Sequence, residues 1–327
     1  SDMKLTTQRL EAGRNFANKL WNASRFVMSN IDSIDQNAYE SAINNMAEAP
    51  SEDRWIVSKL NRLIESVSKL LEGFQFGEAQ REIYDFLWNE YCDWYIELAK
   101  IRLRDENTTS PLPILVHILE TSLLLLHPVM PFITEELWQA LTGIVNFLKK
   151  VDSIIIAPYP EKPGAIDNEA EREMEAVIEI IRAIRNIRTE HKVEPAKFIE
   201  AVINAGAMKD SFDSHASTIE QLARVSPLTI VSDRKQSPVS VDDAALLVRK
   251  GIEAILPKQA LFDTELEKQR LTKEIENLKG LIVRNQDKLS NKAFVDKAPA
   301  PVVDKQRTML SENQDKLAKL MEQMSKL

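Results

Sequence analysis

The feature that most constrains the fold is a heptad pattern of apolar residues near the end of the chain. Two series of residues follow one another at alternating steps of four and three, Leu271, Ile275, Leu278, Ile282, Asn285, Leu289 and then Val303, Gln306, Leu310, Asn313, Leu317, Leu320, Met324, Leu327. This spacing predicts two helices, each with an apolar seam that needs a partner. A turn within residues 297–301 would place Leu289 opposite Val303, with Asn285 and Gln306 as a polar layer that fixes the register.

Residues 259–327 are therefore predicted to form an antiparallel two-helix coiled coil. A helix rises about 1.5 Å per residue, so such a hairpin would be a rod of roughly 40 Å. A rod of two helices is too thin to enclose a pocket. We expect it to reach for a large partner.

The remainder of the chain predicts two further domains and a mainly α protein. Residues 1–150 read as a helix bundle, because long helical patterns are separated by Pro and Gly; the predicted helices are 7–29, 51–71, 77–104, 111–126 and 131–141. Residues 151–258 read as a small α/β junction domain. Its predicted strands are 153–156, 198–203, 228–232 and 245–248, and its predicted helices are 168–191 and 208–223.

Composition excludes several classes of protein. The chain has no run of eighteen apolar residues and no signal-peptide pattern, which leads us to expect a soluble cytoplasmic protein without a membrane partner. Its single cysteine, Cys92, excludes a disulfide framework and a multi-cysteine zinc site. Four dispersed histidines show no metal-ligand spacing, and no nucleophile and base pair or glycine-rich phosphate loop stands out. We expect no catalytic residue, metal or cofactor here.

Charge is distributed unevenly. The net charge of -8 argues against a protein that coats nucleic acid, so an anionic partner must be met by local patches. Residues 4–25 contain five basic residues and one acidic residue, a net charge of +4. Residues 182–192 contain four basic residues and one acidic residue, a net charge of +3. Residues 268–297 contain eight basic and four acidic residues, a net charge of +4. Such islands favour discrete contacts with a shaped polyanion.

The first predicted helix has the clearest functional pattern. At 100° per residue its apolar residues share one face, and a polar strip lies opposite: Arg14, Asn18, Trp21, Asn22 and Arg25. Guanidinium groups suit phosphates and base edges, amides suit base edges, and an indole suits stacking on an unpaired base. The alternative is an ordinary solvated face in which Trp21 packs against a neighbouring helix.

Several longer motifs carry a family resemblance. They are Gly13 to Phe26, Asp53 to Ile56, Trp88 to Lys100, His127 to Trp138, Arg185 to Arg188 and Lys288 to Pro299. In this order they resemble the anticodon-binding helix bundle, the junction and the C-terminal coiled-coil arm of a class I aminoacyl-tRNA synthetase, the valyl family in particular. The resemblance covers nearly the whole chain.

The resemblance implies how the regions share one tRNA. In the family the bundle receives the anticodon loop and the arm touches the outer corner, where the D and T loops meet. It implies tRNA of the valine acceptor type as partner, no DNA, and a monomeric parent. The anticodon candidates are then Arg14, Asn18, Trp21, Asn22 and Arg25, and the candidate backbone contacts from junction and arm are Arg182, Arg185, Arg188, Arg284, Lys288, Lys292 and Lys297.

The chain departs from the family in one respect. The catalytic domain that binds ATP and magnesium, and the editing insertion, have no counterpart here, so we expect a C-terminal fragment that is inactive alone. The alternatives are a related isoleucyl or leucyl enzyme, a free-standing tRNA-binding relative, and a coiled-coil adaptor that does not bind RNA. The isoleucyl enzyme commonly ends in a cysteine-rich zinc module, which a chain with one cysteine does not supply.

Overall fold

The structure is a computed structural model that describes residues 6–31, 34–105, 107–161, 163–238, 244–249, 251–261, 264–291 and 299–325. It divides into two compact units, Ser1–Glu179 and Ile180–Leu327. Among the described helices, none combines the length and the apolar character needed to cross a membrane.

The first unit is a helix bundle. Its helices are α1 (Thr7–Ser29), α2 (Gln36–Asn44), α3 (Ser51–Glu72), α4 (Phe76–Asp85), α5 (Ile96–Arg102), α6 (Leu112–Leu126), α7 (Pro131–Ile144) and the first part of α8 (Asn168–Glu190). The five helices predicted in this region are confirmed. The long fourth one continues through a π-helical segment, Phe86–Tyr95, between α4 and α5.

Local sequence explains where these helices begin and end. The Thr6 side chain accepts a hydrogen bond from the Arg9 amide at the start of α1, and Asp35 accepts one from the Ala38 amide, 2.9 Å away, at the start of α2. Proline stands within the first turn of both α6 and α7, where its missing amide proton has no cost. Gly73 ends α3.

A buried polar network ties α3 to α5. Asp53, 2% exposed, accepts hydrogen bonds on Oδ1 from Tyr95 Oη and from Arg102 Nη1, both at 2.6 Å. Arg102 also donates to the Thr109 carbonyl at 2.6 Å and lies 3.4 Å from Glu52. Burial raises the pKa of the Asp53 carboxyl, against the opposing effect of its two donors. The network places a hydrogen-bonded ion pair inside the bundle.

Residues beyond 150 also belong to the bundle. Ser153 donates to Glu135 at 2.8 Å, the Gly164 amide donates to Asn61 at 3.0 Å, and the Asp167 amide donates to Ser58 at 2.8 Å. The first compact unit therefore extends to residue 179, past the predicted boundary at 150.

The strand predicted at residues 153–156 is wrong, because Ile154–Ile156 form a 3-10 turn. Only Ile154 enters the core, while Ile155 and Ile156 remain 72% and 65% exposed. A run of β-branched residues predicts a strand, but no strand of the sheet pairs with this one.

The second unit contains a four-stranded sheet with the order β2-β1-β4-β3. The strands are β1 (Ile199–Asn204), β2 (Val225–Val231), β3 (Ala244–Arg249) and β4 (Ile252–Pro257), with helices α9 (Lys209–Ser214) and α10 (Ala216–Ala223) between β1 and β2. This helical crossover lets β1 and β2 run parallel, and the other two pairs are antiparallel. Three predicted strands are confirmed, and β4 is a strand that the sequence analysis missed.

The arm follows β4. The short helix α11 (Lys258–Leu261) precedes the two long helices α12 (Thr264–Ser290) and α13 (Ala300–Ser325), which pack against each other. Every seam residue of α12 from Leu271 to Leu289 is buried or half-buried, as is every seam residue of α13 from Val303 to Leu320. The predicted heptad seam is thus the covered face of both helices. The early residue Thr272 and the late residue Met321 line one groove, so the helices run antiparallel.

Candidate nucleic-acid interface

Helix α1 has two faces of opposite character. Phe16, Leu20, Ala23 and Val27 are at most 7% exposed and pack into the bundle. The other face presents all five residues of the polar strip to solvent, with Trp21 44% exposed: Arg14, Asn18, Trp21, Asn22 and Arg25. Trp21 is therefore not buried under a neighbouring helix.

The strip is unpartnered within the described residues. There, the side chains of Arg14, Asn18, Asn22 and Arg25 make no hydrogen bond and no ion pair. Two guanidinium groups and two amides on one helix face thus keep their full hydrogen-bonding capacity for a ligand. A face of this composition can contact phosphates and base edges at the same time.

Lys19, in the same basic patch, is held by the protein itself. Its ammonium lies 2.5 Å from Asp93 Oδ1 and 3.8 Å from the centroid of the Trp88 ring. An ion pair and a cation-π contact together occupy this charge. Nothing in the sequence signals the pair, because the two residues are 74 positions apart.

A row of aromatic rings holds the flank of α1. Phe16 lies 4.6 Å from Tyr84, and Tyr84 stacks on Trp88 at 5.6 Å with an interplanar angle of 16°. Lys19 covers the Trp88 ring, so this indole is engaged inside the protein. The rings fix the position of α1, and with it the direction in which the polar strip points. On α5, Glu97 forms an ion pair with Lys100 at 2.6 Å.

The junction arginines are not equivalent. Arg188 is 6% exposed, and its guanidinium donates to three carbonyls, those of Arg224, Glu194 and Lys197, at 2.9, 3.1 and 2.7 Å. This side chain stabilises the turns around it, so we remove Arg188 from the candidate RNA contacts. Arg185 is exposed and donates from Nε to the Leu222 carbonyl at 2.7 Å, and Arg182 is exposed.

On the arm, Arg284 and Lys288 are exposed on α12. The other two arm candidates, Lys292 and Lys297, lie outside the described residues. Lys305 and Lys316 of α13 are exposed as well, although they are not among the contacts predicted from the sequence. The sequence signal for their exposure is that both lysines stand at heptad positions outside the apolar seam.

Within the described ranges, no group of three or more His, Cys, Asp and Glu side chains could hold a metal ion. Burial raises the pKa of the Cys92 thiol to about 12, against the lowering effect of Lys19. A thiol with so high a pKa is a poor nucleophile at neutral pH.

Two family models match the chain. Residues 53–203 match the anticodon-binding domain of tRNA ligase, and residues 263–327 match the valyl tRNA synthetase tRNA binding arm. The first match lies on the bundle and extends into β1, and the second covers the arm. The chain thus carries an anticodon-binding domain of the kind found in tRNA ligases, followed by the tRNA-binding arm of the valyl type.

Curated relatives narrow the class. The chain is 45% identical over 321 residues to the valine-tRNA ligase of Dehalococcoides mccartyi strain CBDB1. This alignment covers 98% of the present chain and 36% of the relative. It is 39% identical to that of Clostridium acetobutylicum, over 94% of this chain and 34% of the relative. For the enzyme of Listeria innocua the identity is 36%, over 100% of this chain and 36% of the relative.

These matches put the chain in the valyl-tRNA synthetase family. It spans about a third of the length of the relatives it matches.

Proposed function

We propose that the chain binds tRNA through two separate surfaces, the polar strip of α1 for the anticodon loop and the arm for the outer corner. The observation that carries the first half is the exposed and unpartnered set on α1, held by a helix whose other face is buried. Such a helix offers a fixed surface of hydrogen-bond donors and acceptors. Base reading needs this fixed geometry.

The chemistry of the strip fits unpaired bases. An anticodon loop presents splayed bases whose edges accept and donate hydrogen bonds and whose faces stack. Asn18 and Asn22 can form paired hydrogen bonds with a base edge, and half-exposed Trp21 offers a stacking face. Arg14 and Arg25 can bind either a base edge or a phosphate.

The arm fits backbone contacts. Its exposed cations stand on two long helices, and phosphate contacts require charge and reach more than enclosure. Arg284 and Lys288 therefore serve affinity, and Arg182 and Arg185 are proposed as further backbone contacts from the junction.

The parent protein that we propose is a cytoplasmic valine-tRNA ligase, a monomer that joins valine to its tRNA with ATP. The present residues supply tRNA binding, and the chemistry belongs to parts of the relatives that this chain does not match. We expect no valine-dependent exchange of pyrophosphate into ATP by the purified chain, and such exchange would contradict this assignment.

The test compares two transcripts. Binding of the chain to tRNA with a valine anticodon is measured beside the same tRNA with that triplet changed. We expect Arg14→Gln or Arg25→Gln to lower the preference for the valine anticodon by about tenfold, because one lost bidentate contact costs on the order of 1–3 kcal/mol.

The matched control is Arg81→Gln, a largely exposed arginine on α4 that is ion-paired within its own helix. It should leave the preference unchanged. Equal binding of both transcripts by the unmodified chain would refute anticodon reading. Absence of binding at low salt would refute tRNA binding altogether.

A further inference from the structure

The two long sides of the arm differ in charge. In a heptad helix, residues just before and just after the seam fall on opposite sides. The groove between the helices is lined by Thr272 and Lys279 of α12 and by Met321 of α13, beside seam residues. Each of these three residues directly follows a seam residue, so such positions of the two helices lie on the same side of the arm. We call this side the opposite flank, because it lies opposite the basic-apolar flank defined below. By the same geometry, Val283, Asp304 and Arg307 extend this side toward the other end of the arm.

The remaining side differs from the opposite flank in charge and not in apolar exposure, because the opposite flank also exposes 53% of Val283 and 52% of Met321. By the same heptad geometry the remaining side carries an excess of basic over acidic residues: Arg284, Lys288, Lys305, Lys316 and Lys319 against Glu274 and Glu312. Three apolar side chains are strongly exposed there, with 46% of Leu281, 44% of Val302 and 42% of Met309 accessible to solvent. Exposed lysine and arginine side chains lie three or four residues from these apolar residues along the helices, and so on the same face. We call this surface the basic-apolar flank, made of Leu281, Arg284, Lys288, Val302, Lys305 and Met309.

The charges of the two flanks differ. In the part of the chain that the structure describes, Arg284, Lys288 and Lys305 have no carboxylate within ion-pair distance. Lys316, two turns beyond Met309, is likewise unpaired there. On the opposite flank the acids Glu276 and Asp304 offset the charges of Lys279 and Arg307, and Arg307 lies 3.8 Å from Asp304.

We propose that the basic-apolar flank is the one side of the arm that lies against RNA. Leu281, Val302 and Met309 pack on exposed faces of nucleotide bases, and the lysine and arginine side chains around them contact phosphates. The inference rests on the proposed function. The proposed function requires only that the arm be positively charged. The inference adds that one side of the arm makes the contact, and that apolar side chains contribute to binding.

Charge complementarity selects RNA as the occupant. An apolar strip bordered by unpaired cations suits a partner that is anionic at its edge and apolar at its exposed surface. Loops of a folded RNA have this character, because phosphates border bases whose faces are open for stacking. A protein partner with a plain apolar face would leave these cations without counter-charge.

The experiment separates charge from apolar contact. Affinity of the whole chain for the valine-anticodon tRNA is measured over a range of salt concentrations. The double variant Arg284→Gln with Lys305→Gln should flatten the slope of log affinity against log salt by about 1.5, because each lost phosphate contact removes roughly 0.7–0.9 from it. The control Lys279→Gln with Arg307→Gln on the opposite flank should leave the slope unchanged.

The apolar contact is tested with the double variant Leu281→Gln with Met309→Gln. We expect binding to weaken about tenfold at every salt concentration with the slope unchanged, because burial of apolar area does not release counterions. The control is Val283→Gln with Met321→Gln, which replaces residues of the opposite flank that are 53% and 52% exposed. The control should bind like the unmodified chain. Far-ultraviolet circular dichroism verifies that each variant keeps its helix content.

The outcomes are distinguishable. If the unmodified chain binds no tRNA at low salt, the proposed function fails and the inference fails with it. If it binds but the two flanks respond equally, or neither responds, only the sided contact is overturned. If Leu281→Gln with Met309→Gln changes the sedimentation of the free chain and not its affinity for RNA, the flank is an interface between two copies and the inference is wrong.

Discussion

Helix α1 and the arm helices both expose basic residues, but they are held in different ways. The buried face of α1 is at most 7% exposed and packs into the bundle, where Phe16 contacts the ring of Tyr84. The arm helices cover only one seam each, and residues such as Leu278 and Leu310 remain half-buried in it. The bundle fixes its side chains by a broad core, and the arm fixes them by one row of contacts.

This difference matches two kinds of RNA contact. Reading a base edge requires side chains held to within a fraction of an ångström, which a broad core supplies. Contacts with phosphates and with base faces tolerate larger displacements, because they depend on charge and area. We therefore expect discrimination between anticodons to depend on the bundle, and overall affinity to depend on the arm.

The largest effect should follow from breaking the polar network of the bundle. Arg102→Met removes the cation that donates to Asp53 and leaves that carboxylate, 2% exposed, without a charge partner. We expect the free energy of unfolding of the bundle to fall by about 3–5 kcal/mol. Tryptophan fluorescence during urea unfolding measures it selectively, because all five tryptophans lie between residues 21 and 138.

The control for this change is Arg104→Met, two residues further along and exposed. It should alter stability by less than about 0.5 kcal/mol. If both variants unfold at the same urea concentration as the unmodified chain, the buried ion pair does not hold α3 to α5.

A smaller effect of the opposite sign is expected in the arm. Gln306 occupies a seam position, and within the described residues its buried Oε1 accepts no hydrogen bond. Gln306→Leu should stabilise the pairing of α12 with α13 by about 1–2 kcal/mol. Hydrogen exchange of arm peptides, followed by mass spectrometry, should show protection raised by a factor on the order of ten.

The exposed position Gln314 provides the matched change, because Gln314→Leu should leave protection unaffected. Lower protection in Gln306→Leu would mean that this polar layer with Asn285 is needed to keep the two helices in register. In that case the arm, like the bundle, depends on a polar contact inside its core.

The smallest effect concerns pH and the bundle edge. Burial raises the pKa of Glu120 on α6 to about 7, opposed by Lys150 and by its hydrogen bond with Tyr39 of α2. The folded state therefore holds a proton that the unfolded chain has already lost, and stability is lost as pH rises through 7. Relative to the unmodified chain, Glu120→Gln should gain about 1 kcal/mol of unfolding free energy between pH 6 and 8.

His117 faces the same Tyr39 hydroxyl at 3.1 Å, and burial lowers its pKa to about 4. Its contribution to stability increases as pH rises from 4 to about 6.5, and it is common to both proteins in the comparison. The difference between the two stability curves thus reports Glu120 alone. A constant difference from pH 6 to 8, measured by tryptophan fluorescence, would contradict the assignment.

Periodic features could be predicted from the sequence, and contacts between distant segments could not. The two faces of α1 and the heptad seam follow from spacing within one helix, and the structure reproduces both. Helix α2 gave only a weak signal, because it has nine residues and its apolar stripe, Tyr39, Ala42 and Ile43, is only half-buried. The engagement of Lys19 by Asp93 and the three carbonyl partners of Arg188 depend on chain segments that only folding brings together.

The raised pKa of Cys92 has a practical consequence for spectroscopy. A thiol is attacked by maleimide reagents as its thiolate, and at pH 7 this one stays protonated. It is also the only cysteine of the chain. A cysteine introduced at an exposed arm position such as Lys305 can therefore be labelled selectively with a fluorophore, and the distance between dyes on arm and tRNA can be followed without first removing a native thiol.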